Sequence, residues 1–310
     1  MNELIKPKKL KEGSVIGVAS PAGIPDKEKS LKAGKRLESM GFTVRFGDAL
    51  GRNYGYLAGT DKERAAEIND LFQDKTIDAV VCSCGGYGAP RIAPLLNYEL
   101  IRANPKVFWG YSDVTFLHTA IRQEAGLLTF HGPMLSSDLG HDEALHPLTE
   151  EHLRFLKHPG KLTYTEAAGR LEALVEGVAD GWLVGGNLTL LVNSLGTPYE
   201  IDTKGALLFI EETEEEPYQI DRMLNQLKLA GKFKDARGIL LCDFNDCRPK
   251  KRKPSFSLKE LFEHYIVPAG KPVLSGFKAG HCTPNFLFPA GAKSRMNTYA
   301  KTVMIENPFS

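Results

Sequence analysis

The sequence predicts an α/β protein with two domains. The N-terminal domain is expected to be a doubly wound, flavodoxin-like parallel sheet, and the C-terminal domain to be α+β or β-barrel-like. The prediction rests on strand-helix repeats in the first half, on strands that are apolar throughout, and on glycine-rich turns after these strands. A chain of 310 residues exceeds the size at which one core stops growing, about 250–300 residues. We place the domains at residues 1–165 and 181–310, with a linker at 166–180.

The first half alternates the two kinds of element. Apolar runs predict strands at residues 14–20, 42–46, 77–84 and 106–110. Residues 26–41 have a helical spacing of apolar side chains, and Thr60 with Glu63 forms a capping-box pattern ahead of a second helix. In sheets of this kind, ligands bind at the carboxyl ends of the strands, where we expect the glycine loop 85–88 and Ser112.

The second half is less regular. Residues 140–180 are polar, which suits a helix and a connection between domains. One amphipathic helix is clear, with Ile220, Leu224 and Leu227 facing inward.

Composition excludes several classes of function. The formal net charge is +1, so we expect no nucleic acid or membrane partner and favour a small or neutral one. The lysines near the N-terminus precede an apolar run too short for a signal peptide, and no apolar stretch approaches the roughly 18 residues that span a bilayer. The five cysteines match no zinc spacing, which predicts reduced thiols, a cytoplasmic location, no metal and no cofactor.

The serine in "VFWGYSDVT" follows a strand and precedes a helix, as in a nucleophile elbow. The pattern is Gly110-x-Ser112-x-Val114, so the second glycine of the G-x-S-x-G form is missing. From the residues alone, the favoured interpretation is that Ser112 or Asp113 merely caps the following helix, because both residue types are preferred N-caps.

A serine nucleophile needs a base and an acid that orients it. Of eight histidines, His131 and His281 each end a strand-like run beside glycine, and these two are the candidates for the base. Glu211 directly ends the apolar run 207–210 and is the candidate acid, although Glu212 is its neighbour.

The motifs together resemble the LD-carboxypeptidase family, the muramoyltetrapeptide carboxypeptidases with the microcin-immunity peptidases as relatives. They are "IGVASPAG", "CSCGGYGAPRI", "GYSDVT", "FHGPM", "LVGGNLTLL", "LFIEETEEEPYQIDRML" and "GHCTPNFLFPAGA". The resemblance implies a serine peptidase with a Ser-His-Glu triad, carried over by motif to Ser112, His281 and Glu211. It also implies that the serine lies in the N-terminal domain and the other two residues in the C-terminal one.

The family mechanism fits the candidate residues. We expect the N–H groups of Asp113 and Gly86 to hold the oxyanion, and Arg91 with Tyr87 to contact the substrate; an ion pair is the alternative for Arg91. The resemblance implies release of D-Ala from a murein tetrapeptide in cytoplasmic peptidoglycan recycling; we leave a homodimer open. The alternatives are a microcin-immunity peptidase acting on a peptidyl-nucleotide, an α/β-hydrolase-like esterase, and a non-catalytic two-domain protein that binds a small ligand.

Overall fold

The computed structural model describes residues 4–251 and 253–310 and divides into two units. The first unit runs to Gly160 and also includes Phe286–Gly291 and Pro308–Ser310. The second unit comprises Lys161–Asn285 and Ala292–Asn307. The division differs from the sequence-based one in two ways: residues 161–180 belong to the second unit, and two segments near the C-terminus belong to the first.

The first unit is built around a six-stranded sheet. Its strands are β1 Val15–Ala19, β2 Thr43–Phe46, β3 Ala79–Cys82, β4 Val107–Gly110 and β5 Thr129–His131, with β12 Phe288–Ala290 from near the C-terminus. Its helices are α1 Lys27–Ser39, α2 Asp61–Gln73, α3 Ala89–Ile92, α4 Tyr98–Ala103, α5 Thr115–Ala120 and α6 Pro147–Arg154.

The order of the strands in this sheet is β12-β5-β4-β3-β1-β2. β1 to β5 are parallel, and β12 pairs antiparallel with β5. The order 2-1-3-4-5 is the flavodoxin-like one, so the predicted fold class is confirmed. Every residue of β3 and β4 is buried, which explains why these strands are apolar throughout.

The strand order reverses between β1 and β3, and this switch point is where ligands bind in sheets of this kind. The loop after β1 contains Gly23, and the loop after β3 contains the glycines of residues 85–88. Ser112 follows the neighbouring strand β4, so the predicted site residues of this unit lie at one edge of the sheet.

The second unit is built around an eight-stranded mixed sheet of order β6-β14-β13-β8-β9-β10-β11-β7. Its strands are β6 Leu162–Tyr164, β7 Glu172–Val175, β8 Val178–Asn187, β9 Ala206–Thr213, β10 Gly238–Asn245, β11 Val273–Ser275, β13 Lys293–Asn297 and β14 Thr302–Ile305. Its helices are α7 Leu188–Asn193, α8 Pro217–Leu229, α9 Lys232–Asp235 and α10 Leu258–Tyr265.

The core of the second unit lies between this sheet and its helices. β8, β9, β10 and β11 run parallel to one another, and residues of all four contribute to one apolar cluster with α7, α8 and α10. Ile220, Leu224 and Leu227 of α8 are buried in this cluster, as their spacing predicts. β9 is buried from Ala206 to Glu212, so it delivers two carboxylates into a covered part of the unit.

Candidate active site

Ser112 has a backbone conformation that serine rarely adopts. Its φ is 61°, in the left-handed region, and it begins a short 3₁₀ turn, Ser112–Val114, between β4 and α5. In a nucleophile elbow, a strained turn of this kind lifts the nucleophile out at the end of a strand. The local geometry is therefore that of an elbow although the second glycine of the sequence pattern is absent.

The glycine loop packs directly against this serine. A Cβ atom on Gly85 would lie 2.8 Å from both Cβ and Oγ of Ser112, so only glycine fits there. The carbonyl of Gly85 accepts a hydrogen bond from the N–H of Gly23 at 3.0 Å. Because C=O and N–H of one trans peptide point in opposite directions, the N–H of Gly86 is directed away from Gly23.

Asp113 does not cap the helix that follows it. Its carboxylate is buried and accepts a hydrogen bond of 2.7 Å from the N–H of Ala89, the first residue of α3. Burial raises the pKa of Asp113 to about 6, while the Ala89 N–H and the charge of Arg64 act in the opposite direction. This side chain therefore ties the serine turn to the end of the glycine loop.

The two predicted substrate-binding residues lie at the surface of the first unit. Arg91 donates two hydrogen bonds to one carboxylate oxygen of Asp61, at 2.9 and 3.1 Å, and its side chain is 40% exposed. Tyr87 is 52% exposed, and its ring packs edge to face on that of Tyr56 with 5.7 Å between centroids. Arg91 is thus part of an ion pair, which leaves its proposed contact with a substrate carboxylate untested.

His131, one of the two candidate bases, is fully buried in β5. Its ring packs against the rings of Tyr111 and His118. His118 is a core residue: its Nε2 is 2.8 Å from the carbonyl oxygen of Gly110, and burial lowers its pKa to about 4.

A second histidine of this unit, His152, is also packed against an aromatic ring. His152 lies in a polar stretch that suggests a solvated side chain, but its ring stacks on Phe286 with 4.3 Å between centroids. Burial lowers its pKa to about 4. The neighbouring residues of His152 do not predict its burial, because its aromatic partner Phe286 is far away in the chain.

His281 and Glu211, both in the second unit, form a hydrogen-bonded pair. The distance from His281 Nδ1 to Glu211 Oε2 is 2.8 Å, and the Glu211 side chain has no exposed surface whereas that of His281 is 20% exposed. A Cβ atom on Gly280 would lie 2.5 Å from Glu211 Cδ, so glycine is required for this close approach. A buried carboxylate that orients an imidazole is the arrangement that a catalytic triad uses.

Glu212, the neighbour of this acid, is engaged elsewhere. Its carboxylate accepts hydrogen bonds from Asn187 Nδ2 at 2.8 Å, from the N–H and the hydroxyl of Thr189, and from the N–H of Thr213. Burial, with the charge of Glu211, raises its pKa. Glu212 therefore holds the start of α7 against β9, while Glu211 is the acid that contacts the histidine.

Neither a metal centre nor a membrane segment is evident in the described ranges. Residues 4–251 and 253–310 contain no group of three or more histidine, cysteine or acidic side chains that could hold a metal ion. Within the same residues, no helix is long and apolar enough to cross a membrane.

Comparison with known proteins gives the family. Residues 16–132 match the LD-carboxypeptidase N-terminal domain, and residues 180–296 match the LD-carboxypeptidase C-terminal domain. The chain belongs to the LD-carboxypeptidase family. The resemblance carried by the sequence motifs is thereby confirmed, and with it the prediction of a carboxypeptidase of the serine peptidase class.

Two curated relatives of this LD-carboxypeptidase cover nearly its whole length. The probable murein peptide carboxypeptidase of Bacillus subtilis is 55% identical over 97% of this chain and 94% of its own. The microcin C7 self-immunity protein MccF of Escherichia coli is 30% identical over 97% of this chain and 95% of its own.

Solved structures agree with the fold. MccF in complex with aspartyl sulfamoyl adenosine superposes with a TM-score of 0.91 at 27% identity, covering 99% of this chain and 100% of that one. The muramoyltetrapeptide carboxypeptidase of Oxalobacter formigenes has a TM-score of 0.84 at 24% identity, covering 95% and 98%, a likeness that concerns the fold.

Sequence reasoning missed Arg64 of the LD-carboxypeptidase. This arginine of α2 is fully buried beside the glycine loop, where its guanidinium contacts backbone carbonyls of two loops. A single arginine in an otherwise amphipathic helix indicates a solvated face, so the sequence carried no signal for its position.

Proposed function

We propose that the chain is a serine carboxypeptidase that releases the terminal D-Ala from murein tetrapeptides by hydrolysis of the L,D-peptide bond. The family supplies the reaction class, and the 55% identity to the murein peptide carboxypeptidase of Bacillus subtilis supports the substrate. The observation that carries the mechanism is the left-handed Ser112, with Gly85 packed on its hydroxyl.

In the proposed mechanism, Ser112 is the nucleophile, His281 the base and Glu211 the orienting acid. Nδ1 of His281 is hydrogen-bonded to Glu211, and in the proposed mechanism Nε2 takes the Ser112 proton as Oγ attacks the carbonyl. The histidine then gives this proton to the amine of the departing D-Ala. Water, deprotonated by the same histidine, hydrolyses the acyl-enzyme and regenerates Ser112.

The oxyanion is proposed to be held by the N–H groups of Asp113 and Gly86. Gly86 is supported because the Gly85 carbonyl is fixed on Gly23, which orients the N–H of the same peptide. Loss of one such donor typically costs about 3–4 kcal/mol in the barrier. Arg91 and Tyr87 lie close to Gly86 in the sequence and are proposed to contact the substrate. Arg91 would bind the terminal carboxylate of the substrate while it keeps its ion pair with Asp61.

Ser112 belongs to the first unit, whereas Glu211 and His281 belong to the second. The proposal therefore requires both units for activity. This requirement, together with the family, also argues against an α/β-hydrolase-like esterase, in which one domain carries all three residues.

A role in cytoplasmic peptidoglycan recycling is part of the proposal. Its support is that the five cysteines are all free thiols, as expected in a reducing compartment. Self-association into a homodimer stays a prediction, which sedimentation analysis of the purified chain would test.

A second candidate function is cleavage of a peptidyl-nucleotide, and the likeness to MccF favours it. The experiment is to incubate the purified chain with a free tetrapeptide, a sugar-linked tetrapeptide and an aminoacyl sulfamoyl nucleoside, and to quantify each released amino acid. Release of D-Ala from either tetrapeptide supports the first proposal. Turnover of the nucleoside alone would replace it with the second, and binding without turnover of any compound would indicate a non-catalytic binding protein.

A further inference from the structure

One peptide group in the glycine loop is held from both sides. The carbonyl oxygen of Gly88 accepts a hydrogen bond of 2.9 Å from Arg64 Nη1. The N–H of Ala89, which belongs to the same peptide, donates to the Asp113 carboxylate at 2.7 Å. Because a peptide is planar, these two contacts fix the orientation of the whole group.

Both side chains that hold this peptide are buried. Arg64 has no exposed surface and Asp113 is 2% exposed. The arginine makes further hydrogen bonds, to the carbonyls of Gly59 and Pro21 and to the carboxylate of Asp61. A buried guanidinium with all of these partners has little freedom to move.

The packing around Gly88 shows how closely the loop is held. Gly88 has a φ of +119°, and a Cβ atom there would lie 2.6 Å from Leu57 Cδ2 and 3.0 Å from Arg64 Nη1. At its other end the loop meets Ser112 through Gly85. The loop 85–88 is thus confined between the nucleophile and the arginine.

Arg64 also connects the two loops of the switch point, since the same Nη1 contacts Pro21 after β1 and Gly88 after β3. Gly23, two residues after Pro21, holds the carbonyl of Gly85 at 3.0 Å. These contacts connect the loop that carries the Gly86 N–H to both Arg64 and Asp113.

We propose that Arg64 and the carboxylate of Asp113 are positioning residues that hold the 88–89 peptide, and thereby the loop 85–88, in the geometry needed to bind the oxyanion. The inference rests on the proposed function, in which Gly86 is an oxyanion donor. Neither side chain touches the substrate in this role. The Asp113 carboxylate acts through Ala89, separately from the backbone N–H of Asp113.

The test compares Asp113→Ala with Asp113→Asn. Alanine removes the acceptor for the Ala89 N–H, whereas the asparagine oxygen still accepts it. We expect Asp113→Ala to lower kcat on a tetrapeptide by about a hundredfold, the effect of misplacing a catalytic group by roughly 1 Å. KM should change less than about twofold, and Asp113→Asn should keep kcat within about fivefold of the parent.

Arg64→Met is the second variant, with Arg36→Met as its matched control. Arg36 also donates to several backbone carbonyls of this unit, those of Leu139, His141 and Glu143, but none belongs to the glycine loop. Arg64→Met should lower kcat by about a hundredfold, and Arg36→Met should leave it unchanged.

A readout that does not depend on the substrate separates this inference from the proposed function. Amide hydrogen exchange of the segment 83–92 should be at least about tenfold faster in Asp113→Ala and Arg64→Met, and unchanged in Arg36→Met. Unchanged exchange in Asp113→Ala would overturn the inference, as would parental kcat in a variant whose loop exchanges faster. If the parent chain releases no D-Ala, the proposed substrate is wrong. The same variants are then compared by the rate at which a fluorophosphonate labels Ser112, and this rate takes the place of kcat.

Discussion

The Nδ1 atom of His281 lies 2.8 Å from Oε2 of Glu211, whose side chain has no exposed surface. The neighbouring Glu212 does not share this role, because its carboxylate accepts hydrogen bonds from Asn187, Thr189 and Thr213. Two adjacent acids at the end of β9 are thereby given different tasks. Glu211 contacts the histidine and is the proposed orienting acid, and Glu212 supports the local structure.

Exchange of each acid for its amide separates these tasks. In Glu211→Gln the amide can present an N–H to Nδ1 and favour the wrong imidazole tautomer, so kcat should fall by about 10³- to 10⁴-fold. Glu212→Gln should instead lower the free energy of unfolding by about 1–3 kcal/mol, because the new amide NH₂ group would face N–H and O–H donors that now bond to the carboxylate. Steady-state kinetics and urea unfolding of both variants measure this, and a larger loss of kcat in Glu212→Gln would reverse the assignment.

The left-handed φ of Ser112 predicts an unusual order of stability among its variants. Ser112→Ala and Ser112→Gly should both be inactive, because each lacks the hydroxyl of the proposed nucleophile. Ser112→Gly should be more stable than Ser112→Ala by about 1 kcal/mol, since only glycine adopts a φ of 61° without strain. Urea unfolding measures the difference. Equal stability would argue against the strained turn, and a tenth of the parental activity in either variant would remove Ser112 from the mechanism.

Gly85→Ala tests the packing of the glycine loop on Ser112, the proposed nucleophile. The new Cβ atom would lie 2.8 Å from Ser112 Oγ, so one of the two must shift, and kcat should fall by about a hundredfold or more. Gly51→Ala is the matched control, since a Cβ atom at Gly51 has no atom within 4 Å and φ is not left-handed. Parental kcat in Gly85→Ala would show that the loop does not constrain Ser112.

Acid should destabilise the fold through His118. Its pKa is about 4 in the folded protein and near 6.5 in the unfolded chain, so only the unfolded chain binds a proton between these values. Above pH 6.5 His118 does not lower the free energy of unfolding. As the pH falls from 6.5 toward 4, protonation of His118 in the unfolded chain lowers this free energy, by about 2 kcal/mol between pH 6.5 and 5.

His118→Gln provides the comparison, because its Nε2 can still donate to the carbonyl of Gly110 but cannot be protonated. The fall in unfolding free energy between pH 7 and pH 5, measured in urea, should be about 2 kcal/mol smaller in this variant than in the parent. The same pH dependence in His118→Gln and parent would contradict the assignment.

The sequence was sufficient for the parts of the fold that local pattern determines. Continuous apolar strands and the capping box of Thr60 and Glu63 predicted the α/β architecture of the first unit, and the structure contains both. The return of β12 to pair with β5 was not predicted, because an antiparallel pairing between residues about 160 positions apart leaves no local signal.

The same distinction holds for the candidate site. Ser112, Glu211 and His281 stand at the ends of apolar runs beside glycine or a turn, so neighbouring residues made them candidates, and the resemblance to the family selected His281 over His131. The buried position of Arg64 could not be predicted, since it donates to the backbone carbonyls of Pro21 and Gly88, and every residue has such a carbonyl. The Asp113 side chain was considered only as an N-cap of the following helix, because its actual partner, the N–H of Ala89, is also a backbone group that any residue except proline supplies.

Stereochemistry at the terminal residue tests the central claim most directly. A peptidase specific for the L,D bond must place the scissile carbonyl in the oxyanion site while the D-methyl group and the terminal carboxylate occupy pockets of fixed handedness. Inversion of that centre exchanges the methyl group with hydrogen, so the L-Ala peptide must clash or misplace its carbonyl, which costs about a hundredfold in rate for roughly 1 Å.

The measurement is a competition between two tetrapeptides that differ only in the configuration of the terminal alanine, with the released alanine enantiomers quantified over time. We predict that kcat/KM for the D-Ala peptide exceeds that for the L-Ala peptide by at least about a hundredfold. Equal cleavage of the two peptides, or preference for L-Ala, would contradict the account even if Ser112 proved to be the nucleophile.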